Sequence, residues 1–302
     1  LPLEPGDYLV VAYFDDERFH EVYRHVPEKD EGIPENFAHR EFSRDKHHHN
    51  HIILPSVIIR KSEVVTKDMA YLEGSNRASF GGERKYNLPQ HHRSMPDFWM
   101  DTRELSVEIF TTIFEMKPKL QPPGREGPGF AVLVQYDMAV SLAEEQGKRL
   151  ATEFEWEYAA TQAGKTTFSW GSQLRDKLQF SQKQFLPVGS PLFDQLPTKP
   201  PIFGLCSNVA EWTCTQVYSH SPEDLITSNE TPTSLRNYRV VRGGSDSVVF
   251  DGNPVVDSKN RDPRLRSFVH RGQILAGLGM RCVKSARPRL TLDDFVSSQY
   301  QK

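Results

Sequence analysis

QGKRLATEFEWEYAAT, residues 146–161, closes one helix and opens the next. Gly147 ends an apolar-periodic run, as a residue tolerant of positive φ does at a helix C-terminus. Thr152 and Glu155 spell T-x-x-E, a capping box in which the Thr hydroxyl accepts from a free backbone N–H and the Glu carboxylate accepts in return. Phe154 and Tyr158 lie four apart, and Trp156, Ala159 and Ala160 widen the stripe. The spacing predicts an amphipathic helix with its aromatic side against a core. Upstream, Tyr136–Glu145 is predicted as a helix with Met138, Ala139 and Leu142 inward.

A chain of 302 residues holds one large domain, or one large and one small. With 25% charged residues and a net charge of -3, no global basic field draws in nucleic acid. Three cysteines do not build a disulfide framework, and a reducing, cytoplasmic setting is the expectation. The longest apolar runs, Ile52–Ile59 and Phe130–Val134, fall far short of the ~20 residues that span a bilayer, so no membrane insertion is expected. The chain opens at Leu1 with neither an initiator Met nor a charged-then-apolar leader, and a fragment or processed product without a signal peptide is the expectation.

At the N-terminus, Tyr8–Phe14 is rich in β-formers and is predicted to pair with Phe19–Val26 across Asp15-Asp16. Pro27–Lys46 is a polar loop. His47, His48, His49 and His51 are metal-ligand types, but consecutive residues of an extended chain point to opposite sides, so a solvated loop is expected. Ile52–Ile59, broken by Pro55, closes a small module. Ser106 is predicted to cap a helix through Phe110 and Phe114, with Ile109 and Ile113 on its buried side.

The string R-L-x-T-E-x-E-W-E-Y-A-A at Arg149–Ala160 resembles the signature of the formylglycine-generating enzyme, or sulfatase-modifying-factor, family of the C-type-lectin-like fold. Further segments follow in the family's order. Met69–Gly74 with Phe80–Gly82 resembles its opening hairpin, Phe98–Asp101 with Glu104–Val107 its F-x-I-D-x-x-E-V-T, and Phe168–Gly171 its aromatic turn. Cys206–Thr213 resembles G-N-V-x-E-W-T, Arg239–Ser245 resembles R-V-x-R-G-G-S, Asn260-Arg261 the N-R segment, and Gly279–Cys282 the terminal strand. At the start of the chain, LEPGDYLVVAYF resembles a strand of the small β-sandwich modules found between kinase and sulfatase-modifying-factor domains in some bacterial kinases. The implied fold class is α+β, an irregular C-type-lectin-like domain over residues 63–287. A small all-β module over 1–62 precedes it and a tail over 288–302 follows.

The resemblance also implies site residues. The turn at Asn208 and Glu211 supplies a structural calcium site in the family, calcium being a hard ion that wants 6–8 oxygens. Trp212 lies beside the family's substrate groove. Oxidase members hold Cu(I) between two thiolates, soft donors for a soft ion. Counting from Ser245, those positions here are Val248 and Asn253, and neither supplies sulfur. A ligand surface is therefore expected from Trp212, Asp246, Arg261, Arg264, Arg266 and Arg281, with arginines suited to clamping a carboxylate or phosphate. The implied function is a non-catalytic regulatory module for an unknown protein or small-molecule ligand, at the C-terminus of a bacterial serine/threonine protein kinase. The chain itself carries no glycine-rich phosphate loop, H-R-D or D-F-G. Rival readings are an oxygenase with metal held by His and carboxylates, and a retroelement-diversified binder. The latter expects a Tyr-rich closing loop, and Asp246–Val269 has no Tyr.

Overall fold

β-branched and aromatic residues make Gly6–Asp15 (β1) and Arg18–Val26 (β2) an antiparallel hairpin, with an irregularity between Tyr13 and Asp15. The structure is a computed structural model. It describes residues 6–26, 43–44, 52–53, 57–83, 87–119, 121–173, 186–192, 194–216, 237–243, 249–250, 253–254 and 262–290. The cluster His47–His51 lies outside the described residues.

After the short pair β3 (Ser43–Arg44) and β4 (Ile52–Ile53) come α1 (Ser62–Val65), β5 (Met69–Leu72), β6 (Ser75–Phe80), β7 (His91–Met95) and β8 (Phe98–Asp101). Three helices follow, α2 (Val107–Phe114), α3 (Tyr136–Glu145) and α4 (Glu153–Ala160), with β9 (Arg149–Leu150) between the last two. The remaining strands are β10 (Gln195–Leu196), β11 (Ile202–Phe203), β12 (Ala210–Gln216), β13 (Tyr238–Arg242), β14 (Val249–Phe250), β15 (Asn253–Pro254), β16 (Ser267–His270), β17 (Leu278–Gly279) and β18 (Cys282–Ser285). Two four-stranded sheets carry the domain, ordered β5-β8-β18-β9 and β16-β13-β12-β17. Few helices, many short strands and a small all-β module in front make the α+β class plain.

Local signals placed several elements correctly. Thr152 and Glu155 form the reciprocal capping box of α4, and α3 spans the expected residues with Ala139 and Leu142 fully buried. Ser106 Oγ accepts from Ile109 N at 3.4 Å, but Val107 and Phe110 are the buried side of α2 while Ile109 and Ile113 are only partly covered.

Three expectations are corrected. Met69–Gly82 is not one hairpin, since β5 pairs with β8 and β6 with β7. The chain turns at Gly74, whose N–H donates to Asp97 Oδ1 at 2.6 Å and where a Cβ would stand 2.4 Å from the Met95 carbonyl oxygen. Gly279–Cys282 is not one strand either. β17 runs parallel to β12, β18 joins the other sheet, and Met280 with Arg281 crosses between them. Finally, α4 is not amphipathic, because all eight of its residues are buried where it packs against β6, β12 and β13.

Candidate ligand site

The burial of α4 takes three carboxylates out of water. Each buried charge costs several kcal/mol in desolvation unless paired and hydrogen-bonded. Arg266 grips Glu153 through Nε at 2.6 Å and Nη2 at 2.9 Å. Arg242 Nη2 bridges Glu153 at 2.8 Å and Glu157 at 2.9 Å, and Glu157 also accepts from Gly81 N at 2.7 Å. Arg149 makes a bidentate pair with Glu155 at 2.8 and 2.6 Å. Burial pushes the Glu155 carboxyl up, but the charge and hydrogen bonds of Arg149 outweigh it and hold the group down to about 2.

A second acidic corner lies at the turn before β12. Glu211 accepts from Trp156 Nε1 at 2.7 Å and from Arg281 Nε and Nη2 at 3.0 and 2.9 Å. Asn208, at φ 65°, donates from Nδ2 to Glu104 Oε1 at 3.0 Å. Its Oδ1 and the second oxygen of Glu104 are buried without a hydrogen-bond partner. Burial, with Glu211 adding repulsion, pushes the Glu104 carboxyl up to about 8 against the attraction of Arg281.

The side chains of this corner do not by themselves make a calcium shell. Both oxygens of Glu211 are engaged, which leaves two unpartnered side-chain oxygens, Asn208 Oδ1 and Glu104 Oε2, beside a guanidinium whose Nη2 is 4.0 Å from Glu104 Oε2. Calcium wants 6–8 oxygens and no cation in the shell. Among the described residues no group of three or more His, Cys, Asp or Glu is placed to hold a metal ion.

The residues expected on a ligand surface divide. Trp212 is fully buried, with Nε1 donating to the Val134 carbonyl at 2.8 Å and its ring against Tyr136. Arg266 and Arg281 are each 1% exposed and locked onto Glu153 and Glu211. These three are scaffold rather than surface. Arg264 is partly exposed, with Nη2 donating to the Thr166 carbonyl at 3.1 Å and Nη1 3.6 Å from Asp262, and it passes beside Gly82. Asp246 and Arg261 lie outside the described residues, as does Val248, while Asn253 enters only through its backbone pairing with Phe250. Of the residues expected on the ligand surface, Arg264 alone is both described and partly exposed, and it lies against Thr166, Asp262 and Gly82. Sequence reasoning missed Glu104, Glu153 and Glu157. For the last two a signal existed, since residues four apart on a helix share a face.

The three cysteines are free thiols, Cys206 and Cys282 buried and Cys214 partly so. Burial pushes the Cys214 thiol up to about 12, and Cys282 is also raised well above the ordinary thiol range by burial and the nearby Asp101 carboxylate.

The family description "Sulfatase-modifying factor enzyme 1-like domain" matches residues 57–286. The chain belongs to the sulfatase-modifying-factor family. Among curated proteins the family member described here is 27% identical over 258 residues to serine/threonine-protein kinase Pkn1 of Chlamydia trachomatis, covering 75% of this chain and 40% of that protein. It is 25% identical over 256 residues to the Pkn1 kinase of Chlamydia pneumoniae, covering 74% of this chain and 39% of the relative. The chain therefore spans about 40% of the length of these kinase relatives. A formylglycine-generating enzyme from Mycobacterium tuberculosis is 35% identical over 104 residues, 30% of this chain and 34% of that enzyme. Among solved structures, PvdO from Pseudomonas aeruginosa superposes with a TM-score of 0.53 at 18% identity, over 72% of this chain and 94% of PvdO, which shows a shared fold. No helix among the described residues is long and apolar enough to cross a membrane.

Proposed function

We propose that this sulfatase-modifying-factor domain is a non-catalytic regulatory module that binds a small-molecule or protein ligand, as the cytoplasmic C-terminal sensor region of a bacterial serine/threonine protein kinase. The observation that carries the reading is the state of the thiols. All three cysteines of the chain are spent in or near the core, and burial holds Cys214 and Cys282 far from the thiolate form that copper ligation needs. The positions that resemble the oxidases' paired thiolates hold Val248 and Asn253. Similarity to the chlamydial Pkn1 kinases supports the kinase context. Ligand contact falls to Arg264, which is partly exposed beside Asp262, together with Asp246 and Arg261 of the sequence.

The test incubates the purified chain with Cu(I), oxygen, a thiol reductant that supplies the two further electrons for reducing oxygen to water, and a cysteine-bearing peptide, and searches for peptidyl aldehyde by mass spectrometry. No product above buffer is expected. Aldehyde, or copper or iron retained at one per chain, would overturn the reading in favour of an oxidoreductase. The reading frame upstream of Leu1 is expected to encode a kinase domain.

A further inference from the structure

The hairpin β1–β2 is fastened to the domain by a buried histidine. His20, on β2, is 2% exposed. Its Nδ1 lies 2.8 Å from the Ile58 carbonyl oxygen and its Nε2 lies 2.9 Å from the Lys148 carbonyl oxygen, so the ring joins three remote parts of the chain. Backbone carbonyl oxygens only accept hydrogen bonds. A neutral imidazole has a single N–H, and its other nitrogen would press a lone pair against an oxygen in a buried setting. The imidazolium alone satisfies both contacts.

Charge around the ring is divided. From β2 itself comes Glu21, which accepts from Arg289 at 2.7 Å and Ser285 at 2.5 Å and stands 3.6 Å from Arg149 Nε. From the segment before β9, the ammonium of Lys148 pairs with Asp101 at 2.7 Å. From β18, Lys284 Nζ donates to the Phe19 carbonyl at 2.9 Å and lies over the Phe19 ring. Two residues beyond Ile58, Arg60 donates to the Glu145 carbonyl at 3.0 Å.

We propose that His20 is a proton-operated latch, whose imidazolium pins the hairpin to Ile58 and Lys148 and whose deprotonation releases it. The docked state holds a proton that the undocked state gives up near neutral pH. Docking is therefore favoured at low pH and weakens as pH rises, by a factor approaching about tenfold per pH unit. Lys284 acts with the opposite sign. Burial, with Arg149 adding, holds its ammonium down to about 8 against the attraction of Glu21, so its share of stability grows as pH climbs from about 8 towards 10.5. Below pH 8 Lys284 adds no slope of its own, and the remaining background in this range is that of buried Glu104, raised to about 8.

The test uses histidine labelled with 15N in the full chain. At pH 6–7 both ring nitrogens of His20 are expected to show the shifts of protonated nitrogen. Between pH 6 and 8, in a Glu104→Gln background that removes the domain's own slope in this range, hydrogen-exchange protection of the β2 amides, corrected for intrinsic rates, is expected to fall towards tenfold per unit while that of α4 holds. In His20→Gln the ring signal disappears, which assigns it, and β2 protection becomes low and independent of pH. A single unprotonated ring nitrogen across the whole range, or wild-type pH dependence in His20→Gln, would overturn the latch.

Discussion

Two acidic corners of the molecule are equally dry and differently solved. Beneath α4, Glu153 and Glu157 share Arg242 while Arg266 grips Glu153, and every carboxylate oxygen named there meets an N–H at 2.6–2.9 Å. At the turn before β12, Glu104 faces an amide and keeps one oxygen unpartnered, with Arg281 committed to Glu211. Burial charges the same desolvation cost in both places, so the count of donors decides the outcome. Matched carboxylates act as rivets even where burial raises them, as it does Glu157, whereas the under-matched Glu104 is pushed up to about 8.

The comparison breaks hardest at Arg242. Replacing it, Arg242→Met, strips a partner from both Glu153 and Glu157 and is expected to cost about 3–5 kcal/mol in urea unfolding, or to prevent folding. A loss under 1 kcal/mol would mean that the α4 network is decorative.

Glu104→Gln tests the other corner with the opposite sign. The folded-state value, about 8, lies above the ordinary carboxylate value of 4.5, so the folded state holds more protons and wild-type stability falls as pH rises from 4.5 to 8. The amide removes that slope and is expected to stabilise the protein by up to about 3 kcal/mol at pH 7. An unchanged pH–stability curve would place the Glu104 charge elsewhere. The smallest effect concerns metal. With Glu211 engaged by Trp156 and Arg281, adding calcium or a chelator is expected to move Tm by less than about 1 °C, and a calcium-dependent rise of several degrees would restore the metal site.

The fold was legible wherever a signal is local. The T-x-x-E box and the Gly147 stop rest on groups within a few residues of one another, and their hydrogen bonds form where short-range chemistry puts them. The site was legible only in part. Trp212 looked like a groove residue because an indole in a turn motif carries no mark of which side it faces, and its N–H finds Val134 across 78 residues. The periodicity of α4 predicted one apolar face, yet its glutamates are as buried as its aromatics because partners from β13 and the segment before β16 arrive on the polar side.

By itself the sequence determined the helix caps, the β1–β2 hairpin and the resemblance to the family, because each is a matter of residue type at short spacing. Only the tertiary structure decided which arginines are structural, since Arg242 and Arg266 meet Glu153 across 89 and 113 residues. A charge separated from its partner by that much chain is indistinguishable from a solvated one until the surrounding water is removed.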